Sequence, residues 1–167
     1  KEIGNSKISE DSQRSADTHL ARVTAFLAGF SRIAFYGIGY KATAPYVPSS
    51  PATWILERLY ELQTFGVDKL GLFAAPDEIE PIRKRFPKVE ILCEENFGGH
   101  FYRALVIPVG TINVRRMHES TFRKAKPYEM ILDNEAALSH LPESLWASIG
   151  TRYIVPGRRG WLASTSL

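Results

Sequence analysis

The chain has 167 residues, a length that fits one domain with a sizeable hydrophobic core. Its composition, 44% hydrophobic and 23% charged, is ordinary for a globular protein, and no apolar run approaches the roughly 20 residues that a membrane-spanning helix needs. The net charge of +3 is too small to indicate by itself a nucleic-acid-binding protein.

The two ends of the chain and its single cysteine bear on domain organisation. Residues 1–14 are polar, lack the apolar centre of a secretory signal peptide, and are predicted to be a flexible leader. Residues 15–167 are predicted to form a single α/β domain, and the missing initiator Met leads us to expect either a processed chain or a piece excised from a larger protein. Cys93 lies beside an apolar run and is predicted to be a buried, reduced thiol, which is typical of a cytoplasmic protein.

The first half of the chain alternates helix-forming and strand-forming segments. Apolar residues recur at helical spacing over 20–30, with Ser15 or Asp17 as the predicted N-cap. The further predicted elements are strands at 32–36, 69–74 and 88–93 and helices beginning at Ser50-Pro51 and at Asp77. Such alternation indicates parallel strands joined by right-handed crossovers.

The alternation breaks after the third strand. Only about ten residues separate Cys93 from the apolar run 104–109, fewer than a parallel crossover usually needs. Gly110-Thr111 is placed for a hairpin turn to 112–114, and Pro108 is typical of an edge strand. We therefore predict a three-layer Rossmann-like fold with a mainly parallel but mixed sheet, containing an inserted hairpin or an antiparallel edge strand.

The last third of the chain returns to alternation. A strand is predicted at 128–132, followed by a helix that Asp133 or Asn134 caps and that Pro142 splits into two pieces. A final strand is predicted at 152–155.

The loop after the first strand is the strongest candidate for a ligand site, because open α/β sheets bind ligands beyond the carboxyl ends of their strands. Gly37 and Gly39 let the backbone approach a ligand closely, and Lys41 supplies a cation. Ser50 and Thr53 stand at the next helix N-terminus, where N–H groups and the helix dipole favour an anion. No complete dinucleotide fingerprint or P-loop is present. The alternative interpretation is an ordinary strand-ending turn followed by a capped helix.

The C-terminal segment from Gly157 to Trp161 is a second candidate. Arg158 and Arg159 can clamp phosphate groups while the indole of Trp161 stacks on a base. The alternative interpretation is a terminal strand that closes the sheet. For the other basic clusters, at 83–85, 115–116 and 123–126, the simplest interpretation is a solvated surface.

Acidic and imidazole side chains form a third candidate set. His100, His118 and Asp133 are the candidate catalytic residues, because carboxylates and imidazoles act as general acids and bases. Further carboxylates are Glu94, Glu95 and Glu119. The four histidines show no standard ligand spacing, so no metal site is predicted, and the sequence identifies no cofactor.

Three functional hypotheses follow. The favoured one is a binding domain for a phosphate-bearing ligand, either a nucleotide or a nucleic-acid end, at the carboxyl edge of the sheet. A hydrolase or transferase acting on an anionic substrate is the first alternative. The second is a protein-interaction module of a larger assembly. None of the three involves a membrane partner.

Overall fold

The described part of the chain forms one six-stranded parallel sheet with helices packed on both faces. The structure, a computed structural model, describes residues 3–38, 50–62, 67–93, 97–98 and 101–156. Within them the strands are β1 Arg32–Tyr36, β2 Lys69–Phe73, β3 Glu90–Leu92, β4 Ala104–Ile107, β5 Met130–Asp133 and β6 Arg152–Ile154. Their spatial order is β3-β2-β1-β4-β5-β6, and every neighbouring pair is parallel. The helices are α1 Ile3–Leu27, α2 Pro51–Glu61, α3 Ile79–Arg85, α4 Ile112–Arg115, α5 Glu119–Lys124 and α6 Glu143–Ile149. This architecture confirms the predicted Rossmann-like α/β fold.

Two hydrophobic cores lie on opposite faces of the sheet, because successive strand side chains point to opposite sides. On the first face Ile33 and Phe35 pack with side chains from α1, α2 and α3. On the second face Ala34 and Tyr36 pack with side chains from α4, α5 and α6. The helices that follow β1 and β4 therefore cover different faces, which positions the site described below.

The predicted antiparallel insertion was wrong. Strand β4 lies near the centre of the sheet and pairs in parallel with β1 and β5. Pro108 falls one residue beyond β4 and interrupts no ladder. The connection over 93–103 reaches about 36 Å when extended, whereas β4 lies only three strand spacings, about 14 Å, from β3. The connection is therefore long enough to bring the chain back to the start of a parallel strand.

Aromatic side chains from the described part of this connection pack on the second face. Tyr102 is 2% exposed, and a Cβ atom added to Gly71 of β2 would lie 2.6 Å from its ring. The Tyr102 hydroxyl donates to Glu90 Oε2 at 2.7 Å, and burial raises the Tyr102 pKa above its ordinary value. The ring of Phe97 lies 5.6 Å from that of Tyr128, whose hydroxyl accepts the Gly98 N–H at 3.1 Å. Gly71 thus makes room for the Tyr102 side chain, just before β4.

Several element boundaries differ from the prediction. Helix α1 begins at Ile3 and so includes most of the expected leader. Each residue added to an established helix loses conformational freedom but gains one backbone hydrogen bond, so a helix extends more easily than it starts. Residues 112–115 form α4, with Thr111 as its N-cap, rather than a hairpin strand. Pro142 is the N-cap residue of α6 and thus begins that helix. Cys93 is exposed because it lies one residue beyond β3. None of the described helices is long and apolar enough to cross a membrane.

Candidate functional site

The site lies where the sheet topology changes direction. The chain leaves β1 towards α2 on the first face and leaves β4 towards α4 on the second face. The loops after these two adjacent strands therefore part, and such a crevice is where open α/β sheets bind ligands.

The end of β1 is tied to the start of α2. Gly37 has φ +75°, a left-handed conformation that glycine adopts without strain, and its N–H donates to Phe73 O at 2.9 Å. The next residue, Ile38, is fully buried, and its carbonyl accepts the hydroxyl of Ser50 at 3.2 Å. This bond places the α2 N-terminus at the carboxyl edge of the sheet.

Internal hydrogen bonds occupy the hydroxyl groups at the start of α2. Ser50 Oγ accepts the Thr53 N–H at 3.1 Å and lies 2.9 Å from Thr53 Oγ1. Both residues are buried, at 1% and 0% exposure. Pro51 has no N–H, so among the first three helical residues Ala52 alone has an N–H that no described residue accepts. An anion at this helix would therefore meet the helix dipole and one backbone donor.

A cleft of about 510 Å³ opens beside this helix N-terminus. We call it the carboxyl-edge cleft. Its floor is the apolar first face of the sheet, and its walls are α1, α2 and the segments that follow β4, β5 and β6. The described lining residues are His19, Leu20, Val23, Phe35, Ser50, Pro51, Ala52, Ile55, Val106, Pro108, Val109, Leu132, Asn134, Glu135 and Pro156.

The polar wall of the cleft is built by two residues after β5. The side-chain amide of Asn134 donates to Pro108 O at 3.3 Å. Glu135 Oε2 accepts the Gly110 N–H at 2.9 Å and lies 3.5 Å from Arg115 Nη2. These bonds hold the segments after β4 and β5 together. The remaining acceptor oxygens of Asn134 and Glu135 are of the kind that binds ligand hydroxyl groups.

The two described candidate catalytic residues do not line this cleft. Asp133 is fully buried, and its Oδ2 accepts the Leu138 N–H and the Tyr153 O–H, each at 2.8 Å. Its Oδ1 is buried without a hydrogen-bond partner among the described residues. His118 is the N-cap residue of α5, and its side chain makes no cap bond. Their catalytic roles stay predictions.

The other predicted site residues fall outside the described part of the chain. They are Gly39, Lys41, His100, Arg158 and Arg159, and their roles stay predictions. Within the described residues no group of three or more His, Cys, Asp or Glu side chains could hold a metal ion.

Sequence reasoning missed one wall of the cleft. Leu20 and Val23 of α1 contribute to it although α1 precedes the first strand. Their helical periodicity predicted a buried face, but no local signal indicates that this face ends beside the switch point. Only the packing of α1 on the first face decides that position.

The fold and the cleft define the class: a Rossmann-like α/β fold with a cleft at its topological switch point. The structure is similar to that of a UDP-D-ManNAc dehydrogenase from Pyrococcus horikoshii, with a TM-score of 0.56 and 17% identity. The similarity covers 87% of this chain and 31% of the dehydrogenase, so the chain spans less than a third of that enzyme. At this identity the similarity shows the fold alone. No protein-family profile and no curated protein matches the sequence.

Proposed function

We propose that this chain binds a phosphate-bearing nucleotide, with a nucleotide sugar as the first ligand to test, in the carboxyl-edge cleft. The observation that carries the proposal is the position of this cleft, at the switch point of a parallel sheet and beside the N-terminus of α2. Its volume of about 510 Å³ lies within the range of small-molecule sites.

The lining supports a nucleotide in three ways. The partly exposed apolar side chains of Leu20, Val109 and Pro156 suit a base. The Ala52 N–H and the α2 dipole favour a phosphate group, and the oxygens of Asn134 and Glu135 can accept hydrogen bonds from sugar hydroxyls. The similar dehydrogenase is named for a UDP-sugar substrate, which makes uridine nucleotides the natural starting panel.

Calorimetric titration of the chain with UDP, a UDP-sugar, ADP, NAD and a 5′-phosphorylated oligonucleotide tests the proposal. We expect a nucleotide to bind with an affinity that falls as salt is added, because phosphate recognition is electrostatic. Preference for the oligonucleotide would instead support a nucleic-acid end as the ligand. Absence of binding across the whole panel would refute the proposal.

Two substitutions on α1 locate the bound ligand. Leu20 lines the cleft, whereas the neighbouring Ala21 is exposed and does not. Leu20→Trp fills the cleft and should weaken binding at least tenfold, whereas Ala21→Trp should leave it within twofold. Equal affinities in the two variants would place the ligand elsewhere.

The predicted phosphate contacts have their own test. Lys41→Ala and Arg158→Ala should each weaken nucleotide binding about tenfold, the effect expected for one lost charge-assisted hydrogen bond. Lys124→Ala removes an exposed charge that does not line the cleft and serves as the control. Melting temperatures close to that of the wild type would show that all three variants remain folded.

A further inference from the structure

A second cavity, of about 360 Å³, lies on the other side of β1. It is lined by Tyr36, Phe97, Asn113, Arg116, Met117 and Thr121, and we call it the second-face cavity. Phe35 lines the carboxyl-edge cleft and Tyr36 lines the second-face cavity. Consecutive strand residues point to opposite faces, and the two cavities have no described lining residue in common.

Aromatic packing gives this cavity a rigid wall. The Phe97 ring makes edge-to-face contacts with Tyr36, Phe122 and Tyr128, at centroid distances of 6.3, 5.5 and 5.6 Å. Tyr36 also stacks on Phe73 at 5.4 Å. A ring held from several sides presents a preorganised apolar surface, on which another flat ring can pack at little entropic cost.

The other lining residues of the cavity belong to a basic segment of the chain. Residues 112–126 contain five basic side chains and one acidic side chain, a formal charge of +4, whereas the whole chain carries +3. Arg115 and Arg123 are occupied by ion pairs with Glu135 and Glu119. Arg116, which lines the cavity, forms no ion pair with any residue that the structure describes.

We propose that the second-face cavity binds a small ring compound that carries a phosphate or a carboxylate. The ring packs against Phe97 and Met117, and the anionic group lies on the Arg116 guanidinium, whose planar donors match both anions. The Asn113 amide and the Thr121 hydroxyl supply further hydrogen bonds to the anion or to ring substituents. This site is independent of the nucleotide proposed for the carboxyl-edge cleft.

Phenyl phosphate, benzoate, phenol and inorganic phosphate separate the contributions of ring and anion. We expect phenyl phosphate or benzoate to shift the backbone amide resonances of Asn113, Arg116 and Thr121 in NMR titrations of the full chain. Phenol and inorganic phosphate should each bind at least tenfold more weakly than the better of the two combined compounds. If inorganic phosphate binds as tightly as that compound, the ring is not recognised and the proposal is overturned.

Matched charge variants test the role of Arg116. Arg116→Gln should weaken binding of the better compound about tenfold or more, whereas Lys124→Gln should change it less than twofold. Lys124 lies on the same basic segment but is exposed and lines neither cavity. Equal losses in the two variants would indicate general attraction to a basic surface and would overturn the proposal.

The same titration separates this proposal from the proposed function. Shifts confined to amides of the carboxyl-edge cleft, such as Ala52, Val109 and Asn134, would overturn the second-face site and leave the nucleotide proposal untouched. Shifts at Asn113, Arg116 and Thr121 that persist in Leu20→Trp would support the second-face site even if no nucleotide binds.

Discussion

At the scale of single residues, Gly71 makes the packing of Tyr102 on β2 possible. Its missing side chain leaves room for the Tyr102 ring, which an added Cβ atom would approach to 2.6 Å. We predict that Gly71→Ala lowers the free energy of unfolding by about 1–3 kcal/mol, the usual cost of overpacking a core, measured by urea denaturation. In the background of Tyr102→Leu the same substitution should cost less, because the larger of the two contacting side chains is shortened, although Leu92 Cδ1 stays 2.7 Å from the added Cβ atom. A Gly71→Ala protein as stable as the wild type would contradict this assignment.

A buried carboxylate gives the fold a pH dependence at the same scale. Burial raises the pKa of Glu78, which is 6% exposed and accepts the Ala75 N–H at 3.0 Å, above the ordinary value of 4.5. An acid with a raised folded pKa contributes stability that is fully present below its unfolded pKa and is lost as the pH rises through the folded pKa.

Glu78→Gln measures this contribution. We predict that the wild type loses stability relative to Glu78→Gln as the pH rises above the ordinary pKa of 4.5, because only the wild type must ionise a buried group. Chemical denaturation of both proteins at several pH values measures the difference. A difference that is constant with pH, or that changes in the opposite direction, would contradict the raised pKa.

At the scale of elements, the N-cap of α2 couples a helix to the sheet. Ser50 Oγ accepts the Thr53 N–H and donates to Ile38 O, and the residue is buried. Ser50→Ala should therefore cost about 1–2 kcal/mol of stability. Thr111→Ala removes the corresponding N-cap of the four-residue α4, where the hydrogen bond is 3.4 Å long, and should cost less. Thermal denaturation of the two variants compares them, and the reverse order would contradict the coupling role of Ser50.

Some secondary-structure elements could be predicted from local sequence signals alone, and others could not. Strand β1 and the start of α2 lie where the sequence predicts them, because a compact apolar run and a Ser-Pro start depend on neighbouring residues only. Helix α4 was predicted as a strand, because Ile112 and Val114 also suit a strand. The Thr111 cap and the packing of fully buried Val114 on the second face decide in favour of a helix.

At the scale of the whole molecule, two cores share one sheet. Leu56 is fully buried in the first-face core and Leu105 in the second-face core. Substituting either with Ala should cost about 2–5 kcal/mol. Because the strands belong to both cores, we expect a single cooperative transition in each variant, with circular dichroism and tryptophan fluorescence giving the same midpoint. Separate midpoints would show that the faces unfold independently.

Part of the candidate site was predictable from sequence and part was not. Gly37 and Ser50 were predicted to lie at the carboxyl edge, and they do, because strand ends and helix starts carry local signatures. Asp133 was placed correctly at a strand end. Its burial and its bond to Tyr153 depend on β6, whose sequence position says nothing about which strand it joins.

The sequence alone determined the class of fold, because apolar periodicity and capping residues are local properties that alternate in a recognisable order. It also predicts a ligand site at the carboxyl edge of the sheet. Only the tertiary structure decided that β4 is central and parallel, and that α1 closes one wall of the carboxyl-edge cleft. It alone also revealed the second-face cavity, which Tyr36 and Arg116 line. These features depend on which distant segments pack together, and the free energy of that packing is not encoded in any short stretch of residues.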